Sequence, residues 1–237
     1  LRKKNNSEFD SQLNPELTYN NFIEGDCNRL SRTVGINIAS QPGKTIFNPL
    51  FIYGKSGVGK THLVNAIGLK TKELHPQKKV LYVSANLFQQ QYTEANKNGQ
   101  VNDFLNFYQT VDVLIIDDIQ EFGEGKKVST QNQFFHIFNH LHQSGKQLIL
   151  TCDKKPADLE GMEDRLLSRF KWGLSAEIES PSIETRKAIL KMKSEKDGLD
   201  LPEDVINYIA ETVTDNIRNL EGSIVSLIAY STVYQQP

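Results

Sequence analysis

Apolar residues change their spacing along the chain in a regular way, and that spacing predicts alternating helices and strands. Helical periodicity runs from Asn28 to Ser40, and Pro49 to Tyr53 is an apolar run of strand length. Helical spacing returns from Thr61 to Gly68, and Val80 to Val83 is a second short strand. Leu87 to Ala95 and Val101 to Tyr108 read as helices separated by an Asn98-Gly99 turn, and Val111 to Ile116 as a third strand. The helix expected over Gln131 to Gln143 turns Phe134, Phe135, Phe138 and Leu141 inward. Gln147 to Thr151 and Leu174 to Ile178 complete the strands. Strands alternating with helices predict an α/β fold, a parallel sheet covered on both faces, with phosphate ligands at the carboxyl ends of the strands.

The alternation stops at Pro181. Beyond it the pattern is helical: a helix capped by Ser182 and ended at Gly198, a second with Pro202 in its first turn, and a third carrying Ile217, Leu220, Ile224, Leu227 and Ile228. The expected organisation is a flexible lead-in over 1–15, an α/β body over 16–180 and a small helical lid over 181–237.

Composition narrows the setting. The chain has 237 residues, 38% hydrophobic and 24% charged, enough for one large domain or a large and a small one. No apolar run is long enough to span a bilayer, which argues against an integral membrane protein. Cys27 and Cys152 lack metal-ligand spacing, so the expected compartment is the reducing cytoplasm. A net charge of −2, with lysine and arginine spread throughout, is not that of a protein held to duplex DNA by its bulk field. Any nucleic-acid contact must come from local patches or from a basic module outside this sequence. The start at Leu1 rather than Met suggests a piece of a longer protein.

The strongest chemical signal is Gly54-Lys55-Ser56-Gly57-Val58-Gly59-Lys60-Thr61, a G-x-x-x-x-G-K-T loop between a predicted strand and a predicted helix. Gly54, Gly57 and Gly59 let the backbone aim N–H groups at phosphate oxygens and keep side chains out of the way. Lys60 would reach the β- and γ-phosphates of a nucleoside triphosphate, and the Thr61 hydroxyl would hold Mg²⁺. Val58 lies inside the loop and His62 follows it at the helix N-terminus, whose dipole favours the anion.

A second constellation supports hydrolysis. The strand ending in Asp117-Asp118 places Asp117 beside the loop as a Mg²⁺ ligand, largely through water, and Asp118 to orient or deprotonate an attacking water. Thr151-Cys152-Asp153 ends the next strand with polar groups that can sense the γ-phosphate. Arg165 and Arg169 stand four apart on one helical face, and Arg218 begins the third lid helix. A solvated ion-pair face would explain each arginine; so would the positive charge that phosphoryl transfer needs, which a neighbouring subunit often supplies.

Together, Asn48-Pro49-Leu50-Phe51-Ile52-Tyr53-Gly54, Leu114-Ile115-Ile116-Asp117-Asp118-Ile119-Gln120, Phe134-Phe135-His136, Glu163-Asp164-Arg165-Leu166 and Ser168-Arg169-Phe170-Lys171-Trp172-Gly173-Leu174 closely resemble the central AAA+ ATPase domain of the DnaA family of bacterial replication initiators. Tyr19-Asn20-Asn21-Phe22 and Asn216-Ile217-Arg218-Asn219-Leu220-Glu221-Gly222 extend the match over about 16–231. The resemblance implies a three-layer P-loop AAA+ sandwich followed by a three-helix lid. It implies ATP and ADP as ligands, ATP-dependent self-assembly into a helical filament at the origin, single-stranded DNA engagement and duplex opening. Arg169 matches the family's arginine finger, Arg165 its companion in assembly, Asp153 the first sensor and Arg218 the second. Tyr19 to Asn28, including Phe22, would line the adenine end. The helical pair at about 86–108 matches the insertion that makes the filament spiral, and Gln89, Lys126 and Lys127 are candidate single-stranded DNA contacts. Duplex recognition would belong to a helix-turn-helix domain following the lid, and regulators of hydrolysis and the replicative helicase are the further partners implied. Asp118, where related motors carry Glu, predicts slow turnover. An initiator-related helicase loader or regulatory adaptor is the alternative.

Overall fold

A computed structural model describes residues 9–126 and 128–234. Five strands, β1 (Leu50–Tyr53), β2 (Val80–Ser84), β3 (Val113–Asp117), β4 (Gln147–Cys152) and β5 (Leu174–Glu177), form one parallel sheet in the order β2-β3-β4-β1-β5. Alternate residues of each strand feed opposite layers, because side chains along a strand point to opposite faces. Phe51, Leu81, Leu114, Ile116, Leu148 and Leu150 face one core. Leu50, Ile52, Val113, Ile115 and Ile149 face the other.

The first core is closed by α3 (Ala85–Lys97), α4 (Val101–Gln109), α5 (Val128–Gln143) and α6 (Asp164–Phe170), whose Phe88, Phe104, Phe134, Phe138 and Phe170 are all buried. The second is closed by α1 (Arg29–Ser40) and α2 (Lys60–Leu74) through Val34, Ile38, Leu63, Val64 and Ile67. The lid is α7 (Ile183–Lys196), α8 (Glu203–Thr212) and α9 (Ile217–Tyr234). It has a core of its own around Leu190, Ile209, Ala210, Leu220 and Ile224. As expected, Ser182 caps α7: its Oγ accepts the Thr185 N–H at 3.3 Å.

Three expectations are corrected. Strand β3 starts at Val113 and takes in Asp117, so Val111 and Asp112 precede it. There the Asp112 carboxylate accepts the Lys79 N–H at 2.9 Å and the Lys146 ammonium at 2.6 Å, clamping the entrance of the sheet. Pro202 stands before α8 rather than in its first turn. Of the lead-in expected over 1–15, residues 1–8 lie outside the described residues, and from Phe9 onward the chain is tied down. Phe9 stacks on Phe107, and the Ser11 carbonyl accepts the Tyr82 N–H at 2.9 Å, occupying a donor that the edge strand β2 would otherwise leave open.

Candidate active site

The carboxyl ends of β1, β3 and β4 meet at one edge of the sheet, and the lid leans over that edge to enclose a cleft of about 620 Å³. Gly54 to Gly59 leave β1 and enter α2 there. Gly57 and Gly59 have φ of 78° and 104°, conformations open to glycine but strained for other residues. Lys60 is 6% exposed, and its Nζ donates to the carbonyls of Gly54 at 2.7 Å and Lys55 at 3.0 Å, so the side chain is folded back along the loop. Burial lowers its pKa, while Asp118, Asp117 and Asp153 act in the opposite sense. The result is a desolvated cation within a glycine loop, which is what a phosphate chain requires.

Asp117 is 3% exposed and accepts three hydroxyls. Thr61 and Tyr82 both donate to its Oδ2 at 2.7 Å, and Thr151 donates to Oδ1. The Thr151 oxygen in turn accepts the Asp118 N–H at 2.9 Å, so one side chain joins the two neighbouring acids. Asp118 takes a left-handed backbone conformation (φ 57°, ψ 52°) that turns the chain sharply after β3 and brings its carboxylate into the cleft. Aspartate tolerates that conformation better than most residues. Gln120 Nε2 donates to Asp118 Oδ1 at 3.1 Å, and Gln120 Oε1 accepts the Asp153 N–H at 3.3 Å.

At the other end of the cleft, Phe22 meets the His62 ring edge-on at 5.2 Å. His62 Nε2 lies 2.9 Å from the Thr18 carbonyl, which can only accept, so that nitrogen carries the proton. Burial lowers the His62 pKa. The lid reaches the loop twice: the Ile217 N–H donates to the Gly57 carbonyl at 3.0 Å, and Arg218 Nη1 donates to Ser56 Oγ at 3.2 Å.

This geometry is that of a nucleoside-triphosphate site, and sequence and structure comparisons give it a lineage. The family model for the bacterial DnaA ATPase domain matches residues 13–177. The chain belongs to that family. Chromosomal replication initiator DnaA from Bacteroides fragilis is 59% identical over 236 residues, 100% of this chain and 49% of that protein. The Porphyromonas gingivalis initiator is 52% identical over 95% of this chain and 47% of its own length. The chain thus spans about half the length of these curated relatives. Domain III of Thermotoga maritima DnaA superposes with a TM-score of 0.89 at 40% identity, covering 94% of this chain and 92% of that domain. A DnaA structure bound to AMPPCP and single-stranded DNA matches with a TM-score of 0.83 at 42% identity, covering 91% of this chain and 66% of that one. The parallel sheet with its helical flanks is the α/β fold of these DnaA ATPase domains.

In this DnaA-family domain, Gly57, Val58, Gly59, Lys60, Thr61, His62, Phe22, Asp118, Asp153 and Arg218 all line the cleft. Gly54 opens the loop and Asp117 lies beneath it. Arg165 and Arg169 do not line it; they project together from α6 over the Phe135 ring, at 4.5 Å and 5.4 Å. Phe135, expected to point inward, is only partly buried and serves as their platform, while Ile137 fills the core position beside Phe134. Gln89 is 4% exposed, with its amide on the Glu121 carbonyl at 3.0 Å, so it is not displayed as a surface contact. Lys127 and the side chain of Lys126 lie outside the described residues.

Tyr82 and Gln120 are site residues whose roles sequence reasoning does not identify, and the signal for each is slight: a phenol near the end of an apolar strand, and an amide in the turn after Asp118. Thr151 stands where the sequence expects a polar sensor, but its hydroxyl instead bridges the two acids.

Proposed function

We propose that this domain is the ATP-dependent switch of a replication initiator acting in the cytoplasm, binding ATP or ADP in the cleft and assembling with copies of itself when ATP is bound. The observation that carries the reading is the division of positive charge between two places. Lys60 and Arg218 face the cleft, whereas Arg169 faces away from it, and among the described residues no carboxylate pairs with Arg169. An arginine placed this way suits the γ-phosphate held by an adjacent copy.

Lys60 and the loop N–H groups would hold the phosphates, with Phe22 and His62 flanking the base. Mg²⁺ fits the residues present. It takes one or two carboxylates with substrate phosphates and water, and Thr61 Oγ1 and Asp117 Oδ2 are oxygen donors 2.7 Å apart at the right edge of the loop. When bound, the ion would supply positive charge that offsets the negative charge of the phosphates. Asp118, aimed by Gln120 and by its own left-handed backbone, orients the attacking water and accepts its proton. Its side chain is one methylene shorter than glutamate, which suits slow, switch-like turnover. Asp153, beside Gln120, and Arg218, on Ser56, report the γ-phosphate to the body and the lid.

In this reading the domain assembles through Arg165 and Arg169 on origin DNA, engages single strands and promotes opening of the duplex. This accords with the relative bound to AMPPCP and single-stranded DNA. In the same reading, duplex recognition would fall to a helix-turn-helix domain outside this sequence, and regulators of hydrolysis and the replicative helicase would be further partners. Asp118→Asn should leave equilibrium ATP binding intact and lower single-turnover hydrolysis by about 10²-fold or more, the range of general-base contributions. Unchanged hydrolysis would remove Asp118 from the mechanism.

A further inference from the structure

The only tryptophan of the chain stands against Arg169. The guanidinium carbon lies 3.9 Å from the Trp172 ring centroid, and Arg169 Nε donates to Asn139 Oδ1 at 2.9 Å. We infer that Trp172 and Asn139 are positioning residues that hold Arg169 extended and ready before any partner arrives. The inference rests on the proposal that Arg169 reaches an adjacent copy's phosphate.

The arrangement is specific to this arginine. Arg165, one turn earlier, is paired with Glu163 at 2.6 Å and so has its own counterion. Arg169 has an aromatic face and an amide oxygen instead, and neither neutralises it. Asn139 occupies Nε, leaving the two terminal nitrogens, the bidentate fork that recognises a phosphate, directed elsewhere. A free arginine loses rotamer entropy when it docks; one already stacked and hydrogen-bonded has lost much of it in the monomer.

Trp172 is itself well fixed for a residue that is 50% exposed. Its backbone N–H donates to the Arg169 carbonyl at 3.1 Å, which turns the chain back over the end of α6. Gly173, next in the chain, packs so tightly on the segment entering β1 that an added Cβ would lie 2.0 Å from the Pro49 carbonyl oxygen. The His142 ring packs against the indole at 5.0 Å, and His142 is anchored in turn through Nε2, 3.2 Å from the Asn48 carbonyl. The cradle is therefore built from α5, the end of α6 and the entry to β5.

The test compares Trp172→Ala, Trp172→Phe, Asn139→Ala and Arg169→Ala in this chain by two readouts. The first is the Arg169 Nε–H signal in the ADP-bound monomer, assigned by its loss in Arg169→Ala. Indole ring current should shift it in the wild type, Trp172→Ala should abolish the shift, and Asn139→Ala should speed its exchange with solvent. The second is the protein concentration at which ATP induces assembly, with ATP affinity measured alongside. Trp172→Ala and Asn139→Ala should raise that concentration by roughly 2- to 30-fold, the span of a stacked or charge-assisted contact. ATP affinity should stay unchanged, and Trp172→Phe should recover most of the loss. An Arg169 signal and an assembly threshold indifferent to Trp172 and Asn139, while Arg169→Ala abolishes assembly, would overturn the inference alone. Undiminished assembly of Arg169→Ala would instead overturn the reading on which it rests.

Discussion

At the scale of single residues, Asp117 depends on hydroxyl groups from three different elements. Thr61 comes from α2, Tyr82 from β2 and Thr151 from β4, and all three converge on one buried carboxylate. Tyr82→Phe removes one charge-assisted hydrogen bond without opening a large cavity, so it should destabilise the fold by about 1.5–3 kcal/mol in urea denaturation. A variant as stable as the parent would show that the Tyr82 contact contributes little. His62 supplies a pH signature. Its pKa is lowered from 6.5 by burial, helped by Lys196 and opposed by the Thr18 carbonyl and Glu221. A group with a lowered folded-state pKa binds its proton first in the unfolded chain, so its contribution to stability is constant above 6.5 and is lost as pH falls toward the lowered value. Wild-type protein should therefore lose more stability than His62→Gln between about pH 7 and pH 5, measured by denaturant titration at each pH. Parallel slopes would mean that His62 is not held neutral by the fold.

At the scale of elements, the phosphate loop is fixed at both ends, and the lid is part of the fixing. Gly57 is where they meet: its carbonyl accepts the Ile217 N–H, its φ is 78°, and a Cβ there would lie 2.9 Å from the Asn216 Cβ. Gly57→Ala should thus combine backbone strain with displacement of α9. The expected result is a loss of about 1–3 kcal/mol in thermal or denaturant unfolding, together with weaker nucleotide binding. Full retention of both would separate the lid from the loop.

The strands and helices were legible because both faces of the sheet are buried and the helices carry broad apolar stripes, and the loop was legible because its chemistry is local. Strand order was not, since nothing local tells β1 that it lies between β4 and β5. The start of β3 was misplaced because Val111 continues the apolar run, whereas Asp112 is spent on Lys79 and Lys146. Phe135 carries the same apolar character as Phe134, and only the arginines packed on its ring reveal that it serves the surface.

At the scale of the whole molecule, the lid has a core separate from the two beneath the sheet, and the cleft is lined by residues of both lid and body. Among the described residues no helix is long and apolar enough to cross a membrane. With a net charge of −2, the DNA contact proposed for this domain would rest on local groups rather than on a bulk field. In the proposed reading, Lys60 grips the phosphates and Asp118 directs water within one copy, while Arg169, paired with no carboxylate among the described residues, points away from the cleft. In the proposed switch, a neighbouring copy completes the site only when the γ-phosphate is present. The direct measurement is the size distribution of this chain with ATP and with ADP, for wild type and Arg169→Ala, alongside nucleotide affinity. ATP should drive wild-type assembly while ADP leaves it dispersed, and Arg169→Ala should stay dispersed in both while binding ATP with unchanged affinity. Assembly that ignores the nucleotide, or that survives loss of Arg169, would contradict the account.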